Sequence, residues 1–475
     1  MTDTTFTGPV AGQPFLAAGN SDLASFGYRS EEWFAAGTAR SYAQLGEREA
    51  DGCWTARADG EAPFTTRLVA VRPADPARFN GTLVVEWLNV SGGVDAAPDW
   101  LFLHRHLMRE GAAWVGVSVQ KAGIDGGGLV PGRPLKKADP ERYGALRHPG
   151  DAFAFDVFGS IGRALATPGP GPLADLTTTC RIAIGESQSA GFLVTYVNAI
   201  DPLEPCYDGF LIHGRPGGAA GIDGRYLRPA PGGEVSKLSR RMLRGERIRE
   251  DARVPVLTLQ SETDLIVLGS VASRQPDSEQ FRLWEIAGAS HFDTYGLIAT
   301  HRDDGRSPIE QLARELAPTT RPMGMQADPA INAGPQQHYV AQAALAHLER
   351  WARGAGPPPE ARRLETRDSE PVELATDELG IACGGIRTPW VDAPSAVLSG
   401  LGQRGDGFLF LFGSTRPLDQ DTLSRLYPGG VSEHLERFEG ALRSAVAAGF
   451  VLETDAEEIR ALARYGLQPS GFRLP

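Results

Sequence analysis

The sequence predicts an α/β protein: a mostly parallel central sheet with helices on both faces. Three observations carry that expectation. Apolar strand-like runs and amphipathic helical stretches alternate from about Phe64 to Trp351. Residues 82–89 read Thr-Leu-Val-Val-Glu-Trp-Leu-Asn, apolar enough for a buried strand. Loops rich in glycine and proline separate the runs. At 475 residues, 41% hydrophobic and 22% charged, the chain can bury a sizeable core as one large domain or two to three smaller ones.

Taken in order, residues 1–35 read as a loose N-terminal arm with hydrophobic anchors at Phe15, Phe26, Trp33 and Phe34. Short strands are expected at 39–45 and 53–58, and another at 64–72, where the run stops at Pro73. After strand 82–89, Pro98 opens a helix to Glu110, and Gly111 ends it. Strand 113–120 follows, then a loop over 123–140. Asp151 is placed to cap a helix over 152–165, with Phe155, Phe158 and Ile161 on one face. Strands at 207–213, 254–260 and 281–286 and a helix at 336–351 complete a core spanning 36–355. Residues 214–251 interrupt it as an arginine-rich insertion, a lid candidate. Residues 356–475 form a C-terminal extension with a strand-like run at 408–412 and helices at 431–448 and 455–465. The last helix opens with the capping box Thr454-x-x-Glu457.

The net charge of −12 argues against a nucleic-acid backbone or an anionic membrane surface as partner. Cys53, Cys180, Cys206 and Cys383 lie far apart with no Cys-x-x-Cys pair, so neither a structural zinc nor a redox motif is read. No secretory leader or membrane span is visible, which makes the cytoplasm the expected location. No cofactor or metal is called for, and the oligomeric state is open.

Function is concentrated in Arg181-Ile182-Ala183-Ile184-Gly185-Glu186-Ser187-Gln188-Ser189-Ala190-Gly191-Phe192. A β-branched run ends at Gly185, a serine follows, and an apolar helical run begins at Ala190. Strand, sharp turn bearing serine, then helix is a nucleophile elbow, the hallmark of α/β-hydrolases. The turn must be tight so that the hydroxyl stands clear of the backbone, which requires small residues two before and two after the serine. Gly185 and Ser189 hold those positions, the second in place of the usual glycine.

A serine hydroxyl needs a base, and the base needs an orienting acid. In this fold class the chain order is serine, acid, histidine. Strand 254–260 runs into Ser261-Glu262-Thr263-Asp264, which puts two carboxylates at the sheet edge beside the elbow. Asp264 is the preferred acid and Glu262 the alternative. Strand 281–286 then runs into Ala287-Gly288-Ala289-Ser290-His291, which makes His291 the expected base. The oxyanion hole takes one backbone N–H from Gln188 and one from the loop after strand 82–89, at Val90 or Ser91. His213, Glu186 and Phe292 are expected to contact substrate.

The sequence also resembles the bacterial and fungal family known as α/β-hydrolase domain proteins. The resemblance is carried by residues 85–93 (Val-Glu-Trp-Leu-Asn-Val-Ser-Gly-Gly), His148-Pro149-Gly150-Asp151, Gly185-Glu186-Ser187-Gln188-Ser189-Ala190, Glu262-Thr263-Asp264 and Gly384-Gly385-Ile386-Arg387-Thr388-Pro389. It spans nearly the whole chain and implies the α/β-hydrolase fold, with the extension as an integral part of one domain. It also implies a Ser-His-Asp triad and makes Ser189 a family variant of the elbow. The expected activity is hydrolysis of a small-molecule carboxylic ester. Acyl transfer, lactone or thioester hydrolysis by the same triad, or a non-catalytic binding role on this scaffold, are the alternatives.

Overall fold

The structure, a computed structural model, describes residues 4–19, 22–128, 131–226, 244–405 and 407–466. Nine strands form the main sheet: β1 (Thr5–Val10), β2 (Tyr28–Leu45), β3 (Thr55–Pro73), β4 (Thr82–Trp87), β5 (Ala113–Val117), β6 (Cys180–Glu186), β7 (Gly209–His213), β8 (Val256–Ser261) and β9 (Phe281–Ile286). Their spatial order is β1-β2-β3-β5-β4-β6-β7-β8-β9. From β5 through β9 every neighbouring pair is parallel. Strands β1–β3 add an antiparallel edge. This is the α/β-hydrolase fold.

Alternation along the central strands builds two cores. Leu83, Val85, Trp87, Ala183, Phe210 and Ile212 face one side, where helix α2 (Ala154–Ala166) and helix α3 (Gln188–Thr195) cover them. Val84, Ile182, Ile184, Leu211 and Leu259 face the other, under helix α1 (Pro98–Glu110) and the helix Gln336–Ala352. Each fully buried aliphatic side chain contributes about 1.5–3 kcal/mol relative to exposure. That strong two-sided burial is why these strands read as near-continuous apolar runs.

Several features differ from the sequence reading. Asp151 does not cap the helix that follows it, its Oδ1 accepting from the Lys121 N–H at 2.7 Å instead, and Thr454 lies inside a 3-10 turn (Glu453–Asp455) rather than at a cap. The segment expected as a loose arm supplies β1 and the first residues of β2, because Trp33, Phe34 and their neighbours pair along β3 rather than merely anchoring a tail. The two short strands expected at 39–45 and 53–58 are parts of a long hairpin, β2 of 18 residues and β3 of 19. The loop 123–140 contains helical turns at Lys121–Asp125 and Leu135–Ala138. Phe408 to Phe412 are not a strand: Gly407–Leu411 form a 3-10 turn that buries Leu409, and the strand follows at Ser414–Pro417.

The C-terminal extension packs directly on the hydrolase core. Phe438, Leu442 and Ile459 join the cluster under Gln336–Ala352. Ile386 bridges Ile286 at the end of β9, and the Ile386 N–H donates to Glu285 O at 2.6 Å. Among the described residues no helix is long and apolar enough to cross a membrane.

The chain crosses from β4 to β5 on one side and from β5 to β6 on the other. The crevice beyond the carboxyl ends of β4 and β6 is therefore the topological switch point of the sheet, where open α/β sheets hold ligands.

Candidate active site

Ser187 sits at that crevice, between β6 and α3. Its backbone has φ 62° and ψ −117°, a conformation that L-residues avoid and that costs on the order of 1–3 kcal/mol. The turn is fixed from both sides. The Ser187 N–H donates to His213 O at 2.9 Å. A side chain at Gly185 would bring Cβ to 3.0 Å from Leu193 Cδ1 and 3.1 Å from Ser189 Cβ. Ser189 is itself fully buried, and its small side chain fits where glycine is usual.

Three chain-distant side chains converge on the serine. Ser187 Oγ lies 2.8 Å from His291 Nε2, and His291 Nδ1 lies 2.5 Å from Asp264 Oδ1. Ser187 is half-buried, whereas His291 and Asp264 are buried, so the hydroxyl is the part of the set that a reactant can reach.

Asp264 is aimed by its own helix. Ser261 caps the short helix α4 (Glu262–Ile266), accepting from the Asp264 N–H while Asp264 Oδ2 accepts from the Ser261 N–H at 2.6 Å and the Ser261 hydroxyl at 2.8 Å. One oxygen is thereby committed to the cap, and the other is left for the imidazole.

Glu262, the alternative acid, has another task. Its Oε1 accepts from the Gly288 N–H at 2.6 Å, and its Oε2 accepts from the Gly400 N–H and the Ser399 hydroxyl, each at 2.8 Å. It ties the extension to the loop that carries His291. Thr263, between the two carboxylates, accepts from the His291 N–H at 3.1 Å and donates to Gly400 O at 2.6 Å.

Asn89 organises the opposite wall. Its Nδ2 donates to Glu186 O at 3.1 Å, and its Oδ1 accepts from the Ser91 N–H at 2.8 Å. The Ser91 amide is therefore occupied, which corrects its place among the expected oxyanion donors. Among the described residues the Val90 amide makes no hydrogen bond. The Gln188 amide is the first of the unpaired donors at the start of α3. The Ser91 hydroxyl donates to Gln188 Oε1 at 3.2 Å, fastening the two loops together.

The three residues expected at the substrate have the following partners in the fold. His213, at the end of β7, places Nδ1 2.8 Å from Asp99 Oδ1 and packs against Phe102. Asp99 opens α1, whose first N–H groups donate to the buried Glu86. Glu186 is 4% exposed and turns Oε1 to within 3.1 Å of His291 Nε2. Phe292 is half-buried and packs edge-on against Phe102 and Phe412. Of the insertion's arginines, Arg228, Arg240 and Arg241 lie outside the described residues, as do residues 227–243 of the lid candidate as a whole. Arg215 is buried and donates to backbone carbonyls at Pro216 and Gly217, and Arg249 is bound to Asp251.

The charges interact strongly. Burial opposes the His291 imidazolium, but Glu186 and then Asp264 outweigh it and push its pKa up to about 9. Burial pushes the Glu186 carboxyl up to about 7, with His291 and His213 pulling the other way. Burial likewise opposes the His213 imidazolium, and the hydrogen bond and charge of Asp99 more than offset it, so its pKa is raised.

Sequence reading missed Ser261, Thr263, Asn89 and Asp99. Ser261 alone carried a visible signal, the Ser-x-x-Asp capping box. The others act through long-range contacts with no local signature.

A family profile described as "Alpha/beta hydrolase domain" matches residues 3–461. Among solved structures, the chain is similar to a thermostable esterase from Pseudomonas putida at 13% identity, covering 56% of this chain and 75% of that one, with a TM-score of 0.27. It is also similar to an α/β serine hydrolase without lid from Xanthomonas campestris at 14% identity, covering 46% and 78%, TM-score 0.28. A third is the esterase Est22, at 10% identity, covering 71% and 84%, TM-score 0.32. No curated protein matches the chain.

Proposed function

Because the chain belongs to the α/β-hydrolase domain family, we propose that it is a serine hydrolase that cleaves a small carboxylic ester through an acyl-enzyme. The observation that carries the proposal is the unbroken hydrogen-bonded line from Ser187 Oγ through His291 to Asp264, at 2.8 and 2.5 Å, ending on a strained serine at the sheet's switch point.

In this reading, neutral His291 takes the hydroxyl proton at Nε2 as Ser187 Oγ attacks the ester carbonyl. Asp264 keeps the other proton on Nδ1 and stabilises the imidazolium that forms. The amides of Gln188 and Val90 donate to the carbonyl oxygen as it becomes an oxyanion. His291 then hands its proton to the leaving alkoxide. Water, deprotonated by His291, attacks the acyl-enzyme and restores the serine. Asn89, Ser91 and Glu262 hold the loops on which these groups ride.

Ser187→Ala should lower turnover of p-nitrophenyl acetate by about 10⁴-fold or more, as loss of a triad nucleophile does. Unchanged turnover would exclude Ser187 as the nucleophile. Running the wild-type reaction with a competing alcohol distinguishes hydrolysis from acyl transfer by the same residues.

A further inference from the structure

The site holds one more carboxyl group than a three-residue relay uses. Glu186 Oε1 lies 3.1 Å from His291 Nε2, the same nitrogen that faces Ser187 Oγ at 2.8 Å. That oxygen is buried and accepts no hydrogen bond from any other described group. A buried carboxylate without a donor is costly, so the imidazolium is the partner that makes its burial tolerable.

The surrounding backbone keeps the pair in place. Glu186 and His213 are register partners on β6 and β7, so their side chains leave the same face of the sheet. Gly214 follows at φ 58°, and a Cβ there would come within 3.2 Å of the His291 ring and 3.4 Å of Glu186 Oε1. Bare backbone at this point lets imidazole and carboxylate meet.

We propose that Glu186 is a positioning residue for His291: a second carboxylate, set at Nε2 where Asp264 is set at Nδ1, that holds the imidazolium between two anions and competes with Ser187 for the Nε2 proton. The proposal rests on the Ser187 reading above. The groups that face this pair are Asp264 from α4, His213 from β7 and Asp99 from α1, with Asp293 facing His213. Among the described residues, only Glu186 and Asp264 act on His291 directly as anions.

The consequence is an alkaline working range. The general base must be neutral, and an anion at Nε2 keeps it protonated to higher pH. The same anion then stabilises the imidazolium formed as the serine attacks.

The test is the rate of fluorophosphonate labelling at Ser187 against pH, which needs no knowledge of the natural substrate. Wild type should reach its half-maximal rate on the alkaline side of neutrality. Glu186→Gln keeps the shape, removes the charge and should move that midpoint down by about one unit or more. Identical midpoints would overturn the proposal. NMR of ¹³C-histidine wild-type protein is the second measurement, independent of any variant. The His291 Cε1 resonance should titrate above pH ~8, whereas a midpoint at or below the ordinary ~6.5 would overturn the pairing. Absence of labelling at every pH would count against Ser187 as nucleophile, and the NMR midpoint would still decide the role of Glu186.

Discussion

Two histidine–carboxylate pairs stand at the carboxyl edge of the same sheet. His291 holds Asp264 at 2.5 Å, and His213 holds Asp99 at 2.8 Å. Both pairs are buried, both use Nδ1, and both rings carry a raised pKa. They differ in what their surroundings allow. The first has a half-exposed serine hydroxyl at Nε2 and a carboxylate clamped by a helix cap. The second is closed in by Phe102, and its carboxylate belongs to the first turn of α1. A histidine–carboxylate pair is therefore not a catalytic signature in itself. A reachable nucleophile on the free ring nitrogen distinguishes the pair that can act from the pair that supports.

The largest expected contrast is between the two carboxylates. Asp264→Asn should slow ester turnover by about 10⁴-fold, because the amide donates to the ring and favours the wrong tautomer. Asp99→Asn should cost less than about tenfold in turnover and appear chiefly as lost stability, on the order of 1–3 kcal/mol for a buried group stripped of its partner. Equal losses of turnover in the two variants would erase the distinction between the pairs.

A smaller contrast is in pH dependence. The His291 pKa is raised from 6.5 to about 9 in the folded protein, so its contribution to stability is full below about pH 6.5 and is lost as the pH rises through 9. Glu186, raised from 4.5 to about 7, acts in the same direction between those two values. Wild type should therefore melt at lower temperature at pH 10 than at pH 7. Replacing Glu186 by Gln should shrink that difference, and a difference unchanged in the variant would argue against the two groups being coupled.

The smallest expected effect on chemistry is at the neighbouring acid. Glu262→Gln keeps one carbonyl acceptor but turns an NH2 donor toward either the Gly288 N–H or the Gly400 N–H, which then loses its acceptor. Urea unfolding should show a loss of about 1–3 kcal/mol, with the pH midpoint of Ser187 labelling unmoved. A shifted midpoint would place Glu262 on the imidazole after all.

Legibility in the sequence followed the range of the interactions. The parallel strands were readable because burial on both faces leaves runs of apolar residues, and β9 was expected at the bounds it takes, Phe281–Ile286. The elbow and the order Ser187, Asp264, His291 were readable because each sits at a strand end marked by glycine or by a change of polarity. The long β2–β3 hairpin was readable only in pieces, at 39–45, 53–58 and 64–72, since residues 28–38 carry no clean alternation and Asp59-Gly60-Glu61-Ala62-Pro63 has the composition of a turn. The choice between Asp264 and Glu262 turns on the Ser261 cap and on hydrogen bonds from Ser399 and Gly400, more than 130 positions along the chain. The occupancy of the Ser91 amide by Asn89 is likewise a matter of loop geometry. Most evident is Glu186: adjacent to the serine in sequence, its place at His291 Nε2 depends on the turn at Ser187 and on the missing side chain at Gly214.

Whether Ser187 is the activated nucleophile can be read by treating the folded protein with a fluorophosphonate at pH 9, measuring its intact mass and mapping the modified peptide. A single adduct on Ser187 is expected, absent from Ser187→Ala and slow to form in Asp264→Asn. No adduct on the folded protein, or one that persists in Ser187→Ala, would contradict it.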